Sequence, residues 1–272
     1  MKPILLIGPI CKDTNQYKNK TYNGIGGAVY YQTKVLEKLN IPYQAQVTLS
    51  KNDTNLLEYL DKNKTQTIFK KETIEFNNIY TENIRKQFSN FTNTPIYYED
   101  LNLNKEYSAI ILNPLLKTDF PKETIKKLTK HGKIYLSIQG LLRAQKNNNE
   151  VQLENNENLE EIFKHINTLF LDKNEAKIIS KETKIENIIK TISPNLNEII
   201  ITLEDKGSLI YNKNLEKLIK ISPTKIDKVN YPTGAGDTYM ISYITKRLQG
   251  ASIIESGNFA SKIASYKIEK GL

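Results

Sequence analysis

Short apolar runs alternate with amphipathic stretches along most of the chain. Residues 3–8 form an apolar run that predicts a first strand. After a polar loop at 11–25, residues 28–40 repeat apolar positions at helical spacing. The same order recurs: a strand at 45–49, a helical segment at 53–60 with Asp53 or Thr54 as its cap, a strand at 109–112 and a helix at 122–130. Strands at 133–138, 168–171 and 198–203 then alternate with helices at 159–165, 174–179 and 184–191. A hairpin at 208–221 follows, and helices at 235–249 and 252–270 end the chain. The run Ile199-Ile200-Ile201 lacks alternation, which fits a strand buried on both faces of a parallel sheet. Repeated strand and helix units predict an α/β, doubly wound, mostly parallel sheet flanked by helices.

Between 67 and 82 the pattern changes to alternating polar and β-branched or aromatic residues, as in a half-exposed ribbon. Together with 11–25 it predicts a small β-ribbon lid, formed from segments near 10–25 and 67–97, on one domain spanning 1–272. The Asn-rich stretch from 147 to 158 reads as a surface loop.

The chain of 272 residues carries 39 Lys and Arg against 30 Asp and Glu, a formal charge of +9. That balance raises nucleic acid as a partner, but only three of the 39 are arginines, the residue suited to bidentate phosphate and guanine contacts. The lysines are spread along the whole chain, so no nucleic-acid stripe is expected. No apolar run reaches the roughly 18 residues of a membrane span, and the N-terminal apolar run is too short for a signal peptide. A cytoplasmic, soluble protein is expected. One cysteine and two histidines leave neither a disulfide framework nor a Cys/His zinc site.

One segment carries chemistry. Tyr231-Pro232-Thr233-Gly234-Ala235-Gly236-Asp237-Thr238 joins an extended stretch to a helix. Its glycines permit close backbone approach, and the free N–H groups of a helix start favour an anion. A carboxylate in such a cradle repels phosphate unless it has another task, such as taking the proton of an attacking hydroxyl. The plain alternative is an ordinary helix start, with Thr233 as cap and Asp237 favourable to the dipole. No G-x-x-x-x-G-K-[S/T] occurs, and no G-x-G-x-x-G follows a strand.

This segment resembles the C-terminal signature of the ribokinase-like (PfkB) carbohydrate kinases, and weaker matches follow the family's order. Gly8-Pro9-Ile10-Cys11-Lys12-Asp13 is similar to its first strand and substrate-binding Asp, and Gly26-Gly27 to the glycine pair beside the sugar. Asp172-Lys173-Asn174-Glu175 is similar to its N-x-x-E element near magnesium, and Thr202-Leu203-Glu204-Asp205-Lys206-Gly207 to its T-L-G-x-x-G nucleotide stretch. The resemblance implies Asp237 as catalytic base and Gly234, Ala235 and Gly236 as the anion hole. It implies Asp13, Gly26 and Gly27 as acceptor contacts, Glu175 and Asp172 beside Mg2+, and Thr202, Gly207, Thr233, Phe259 and Ile263 around ATP. For Phe259 and Ile263, core packing on a buried helix face is the competing reading.

The chain departs from the family at Tyr231, where the signature usually begins with Asp, which argues against a monovalent-cation site of the sort some relatives use. Tyr31 replaces an expected Asn, and Glu204 replaces a Gly. Ser137-Ile138-Gln139-Gly140-Leu141-Leu142-Arg143 is similar to a D-x-Q-G-x-x-R stretch of family kinases acting on cyclic polyols or sugars, which implies Gln139 and Arg143 as substrate contacts. Arg143 as a surface charge is the competing reading, and Arg85 is a further candidate, reaching over the pocket from the lid. Cys11 reads as pocket-lining and inert.

The function implied is ATP-dependent phosphoryl transfer to a hydroxyl of a small sugar, an inositol-like polyol or a nucleoside. Two alternatives stay open: a non-catalytic nucleotide- or sugar-binding regulator, and a kinase of hydroxymethyl-pyrimidine, vitamin-like compounds. A ribbon that pairs between subunits would make a homodimer.

Overall fold

The structure, a computed structural model, describes residues 1–17, 20–81, 85–91 and 95–271. The chain opens with β1 (Ile4–Pro9), β2 (Cys11–Tyr17), β3 (Lys20–Gly26) and α1 (Ala28–Lys38). It continues through β4 (Tyr43–Ser50), β5 (Thr65–Lys70), β6 (Ile74–Tyr80), β7 (Arg85–Phe88), β8 (Ala109–Leu112) and α2 (Lys122–Leu128). The middle holds β9 (Ile134–Ser137), α3 (Gln139–Leu142), β10 (Arg143–Gln145), β11 (Val151–Leu153), α4 (Leu159–Phe163), β12 (Thr168–Asp172), α5 (Lys173–Ser180) and α6 (Ile185–Ile192). Last come β13 (Glu198–Thr202), β14 (Ser208–Asn212), β15 (Lys217–Ile221), α7 (Ala235–Leu248) and α8 (Ile253–Lys270).

Nine strands make one sheet in the order β15-β14-β13-β12-β9-β8-β1-β4-β5, parallel except for the β14 and β15 edge. Both faces are covered, and the period of two along each strand divides its apolar residues between two cores. Ile4 and Leu6 of β1 face α1, α7 and α8, whereas Leu5 and Ile7 face α2, α4, α5 and α6. Each such side chain contributes about 1.5–3 kcal/mol on burial, which explains why β1 is apolar throughout and sits near the middle of the sheet. From β1 the chain runs outward to β4 and β5, then returns to β8 on the other side. The order thus reverses between β1 and β8, and in open α/β sheets such a reversal is where ligands bind, beyond the C-terminal ends of the strands.

The doubly wound sheet agrees with the pattern of the sequence, and four local expectations are corrected. The stretch 11–25 is not a loop: β2 and β3 pair antiparallel, and with β6 and β7 they form a second sheet in the order β3-β2-β6-β7. Residues 67–70, expected in the lid, belong to the large sheet as part of its edge strand β5, parallel to β4. One face of an edge strand stays wet, so β5 alternates as a ribbon would. Residues 151–153, expected within a surface loop, pair with 143–145. The segment after β4 is a 3-10 element, Lys51–Tyr59, capped by Ser50 and not by Asp53 or Thr54. Among the described residues no helix is long and apolar enough to cross a membrane.

Candidate active site

The first turn of α7 is not an ordinary capped start. Its N-cap is Gly234 in the left-handed region at φ 81°, with no side-chain cap bond, so Thr233 does not cap it. A Cβ at Gly234 would fall within the Tyr31 ring, whereas one at Gly236 would meet nothing within 4 Å. One side of the turn is therefore closed by an aromatic face and the other is open. The first N–H groups of a helix lack partners within it, so the open side offers donors and the positive end of the dipole.

Asp237 stands in this turn. Burial pushes its carboxyl up to about 6, against the lowering influence of Arg143 and Lys267. Tyr31, from the second turn of α1, feels both Asp13 and Asp237. Its phenol is held well above the usual tyrosine range, first by burial and then by these two charges. Tyr31 thus senses both the predicted substrate carboxylate and the predicted base.

Asp13 is brought here by β2 as the chain leaves β1, and it is 9% exposed. The Cys11 thiol donates to its Oδ1 at 3.4 Å, which fits an inert, buried cysteine. A side chain at Gly26 would collide with the Asp13 carboxylate, and Gly27, at φ 100°, starts α1 pressed against the Pro9 carbonyl. The glycine pair is required by close packing around Asp13.

Arg143 lies 7% exposed at the start of β10, donating through Nη1 to the Leu115 carbonyl at 3.0 Å and through Nη2 to Gln139 Oε1 at 2.8 Å. Its guanidinium stacks 4.6 Å from the centre of the Phe76 ring, on lid strand β6. The surface-charge reading of Arg143 is therefore wrong. Its charge lowers the carboxyls of Asp237, Glu175 and Asp119. The side chain of Arg85 lies outside the described residues.

Asp172 and Glu175 form a capping box at the start of α5. Asp172 Oδ1 accepts from the N–H groups of Asn174 and Glu175, and Glu175 Oε2 accepts from the Asp172 N–H at 2.7 Å. Burial and the neighbouring Asp172 charge push Glu175 up to about 7. Two adjacent carboxyls, one reluctant to ionise unless a cation arrives, suit a hard cation that keeps most of its water shell. Among the described residues no three acidic, His or Cys groups cluster, so phosphate and water oxygens would complete such a shell.

At the end of β13, Thr202 Oγ donates to the Leu171 carbonyl at 3.5 Å. Gly207 turns at φ 87° against the β15 backbone, and Glu204, exposed at φ 55°, points to solvent. Helix α8 approaches β15 through Gly257, which abuts Ile221, and Ser261, which bonds the Ser222 carbonyl. Phe259 instead lies 4.7 Å beneath the Lys246 ammonium of α7, and Ile263 packs on the core shared with α7. Their orientation favours packing over contact with a base beside Thr202 and Gly207.

Two residues escaped the sequence. Asp119, fully buried and pushed up to about 7, accepts from the Leu115 and Leu116 N–H groups at 2.6 and 2.8 Å, fixing the loop whose carbonyl holds Arg143. Lys267 of α8, 4% exposed, donates to the Tyr231 carbonyl at 2.6 Å and to that of Thr233. A lysine continuing the buried stripe of Ala260 and Ala264 was the available clue.

Known proteins point the same way. A nucleoside kinase of Methanocaldococcus jannaschii is 34% identical over 113 residues, 42% of this chain and 36% of its own length, so the chain matches about a third of that curated relative. A pyrophosphate-dependent kinase in the ribokinase family, complexed with a pyrophosphate analog and myo-inositol, superposes with a TM-score of 0.85 at 21% identity over 97% of this chain and 94% of its own. Arabidopsis thaliana ribokinase, complexed with ribose and ATP, gives a TM-score of 0.76 at 15% identity over 98% and 92%. These two likenesses show the ribokinase fold. The sequence profile described as pfkB family carbohydrate kinase matches residues 53–272, and the chain belongs to that family.

Proposed function

We propose that this protein transfers a terminal phosphoryl group to a hydroxyl of a small polyhydroxylated acceptor, a sugar, inositol-like polyol or nucleoside. The observation that carries this reading is the Asp237 carboxyl, held near 6 by burial inside a glycine turn that is open on one side. A base with that value is ionised at neutral pH yet basic enough to take a proton from an attacking alcohol.

The acceptor lies between Asp13 and Asp237, with Tyr31 against it and the lid strands β2 and β6 above. Asp13 accepts from one acceptor hydroxyl, and Arg143 and Gln139 orient others. The attacking hydroxyl gives its proton to an Asp237 carboxylate oxygen as it closes on the phosphorus. The N–H groups of Gly234 and Gly236 hold the charge on the transferred group, while that of Ala235 donates to the Pro232 carbonyl at 3.2 Å and closes the turn. A magnesium ion bound near Glu175 and Asp172 would neutralise donor phosphate charge. Burial beneath the lid keeps water from competing as acceptor.

The donor is ATP in the first reading. A second reading, inorganic pyrophosphate, rests on the contacts between α8 and the stretch after β15. The Thr224 N–H donates to Ser261 Oγ at 2.9 Å, and Ser265 Oγ donates to the Thr224 carbonyl at 3.1 Å. These bonds hold 222–224 against α8, and the same stretch backs onto Gly207, one of the residues implied around ATP; a diphosphate needs no base pocket there. The pyrophosphate-dependent neighbour is consistent with it.

The test is turnover with ATP and pyrophosphate, each with magnesium, against ribose, nucleosides and myo-inositol. Product formation with any pair supports the kinase reading, and the donor that works selects between the two. Binding of acceptors with no turnover from either donor would instead make the protein a regulator.

A further inference from the structure

Lys267 is expensive. Taking an ammonium out of water costs several kcal/mol unless it is paired, and among the described residues no carboxylate lies within ion-pair distance of this one. It is nevertheless only 4% exposed, with the Tyr31 ring centre 5.2 Å from Nζ. Its protein hydrogen bonds go to two carbonyls, those of Tyr231 and Thr233, which flank Pro232 just before the glycine turn. Burial draws its own ionisation down to about 8, and Asp237 is the charge that opposes this.

Backbone geometry suggests what the expense achieves. In a trans peptide the carbonyl of one residue and the N–H of the next point in opposite directions. Pinning the Thr233 carbonyl toward α8 therefore aims the Gly234 N–H away from α8. The same ammonium places a fixed positive charge beneath the position where phosphoryl charge develops, and a fixed charge needs no reorganisation during the reaction.

We infer that Lys267 is a positioning residue for phosphoryl transfer: its ammonium serves as a built-in monovalent cation that clamps the Tyr231 and Thr233 carbonyls and orients the anion hole. This rests on the kinase reading above. It implies that the wild-type protein needs no free potassium or ammonium ion, and that removing the lysine creates the need for one. The clamp lies outside the direct substrate contacts, so its loss acts on turnover more than on acceptor affinity.

The experiment uses the full chain with Lys267→Met, which keeps the stem's volume, and Lys267→Gln as a second variant should the first fail to fold. Turnover is measured in sodium, potassium, ammonium and methylammonium buffers. Binding of magnesium pyrophosphate without acceptor is measured by calorimetry in the same buffers. Expected are a wild type that varies less than about twofold among cations and a folded variant with kcat down about 10²- to 10³-fold, the range for a lost oxyanion donor. The acceptor KM should move less than threefold, pyrophosphate binding should weaken, and potassium or ammonium should restore at least tenfold in kcat. A folded variant within threefold of wild type in both measurements overturns the inference, as does a loss that no cation restores. Wild-type turnover that rises tenfold with potassium also overturns it. If the wild type turns over nothing, the kinase reading fails alone, because cation-restored pyrophosphate binding still reports the clamp.

Discussion

Replacing Asp237 by Asn should impair the enzyme and stabilise the protein. In the unfolded chain the carboxyl titrates near 3.9, and in the folded chain burial holds it near 6. Between those values the folded state binds more protons than the unfolded one, so stability falls as pH rises through that window and is level above it. At about 1.4 kcal/mol per pH unit, the folded state carries at most about 3 kcal/mol of strain at pH 7.5. Asp237 is partly exposed, and water reduces this to about 1–2 kcal/mol. Asn is nearly isosteric and uncharged, and it removes that strain. Urea unfolding at pH 7.5 should show Asp237→Asn more stable by about 1–2 kcal/mol, with the gain about halved at pH 5. In the same samples kcat should fall by about 10²- to 10⁴-fold, the usual contribution of a general base. The acid limb of the wild-type profile near pH 6 should be absent from what remains. A variant with wild-type turnover refutes the role of Asp237. A variant less stable than wild type at every pH refutes the account of its raised carboxyl.

Gly234→Ala combines a left-handed backbone, costing about 1–2 kcal/mol, with a methyl group placed in the Tyr31 ring, costing about 1–3 kcal/mol more. Introduced together with Tyr31→Ala it should lose only the first part, and equal losses in both backgrounds by urea unfolding would remove the ring contact from the explanation. Arg143→Met should move the acid limb of kcat above 6, since the guanidinium is the first charge that lowers Asp237. An unmoved limb in the pH profile would separate Arg143 from the base.

Much of the fold was legible because it depends on local patterns. The apolar runs at β1, β8 and β13 read as strands and are strands buried on both faces, and the glycines before α7 marked a turn at a helix start. The motif order supplied Asp13, Asp172, Glu175 and Asp237, and in the structure the charges of Asp13 and Asp237 both act on Tyr31. Where the sequence misled, pairing was the cause. Alternation in β5 reports that one face is wet, and a wet face belongs equally to a lid or to the edge of the main sheet.

Composition and periodicity thus determined the α/β class, the central buried strands with their flanking helices and the identity of the glycine turn, since these follow from side-chain burial within a few residues of each position. Only the tertiary structure decided which strands form the lid, that Arg143 is buried against Phe76, and that Lys267 reaches back to the carbonyls of Tyr231 and Thr233. Those contacts join residues more than 30 positions apart, and their cost or benefit arises from burial and charge that no local window of the sequence contains.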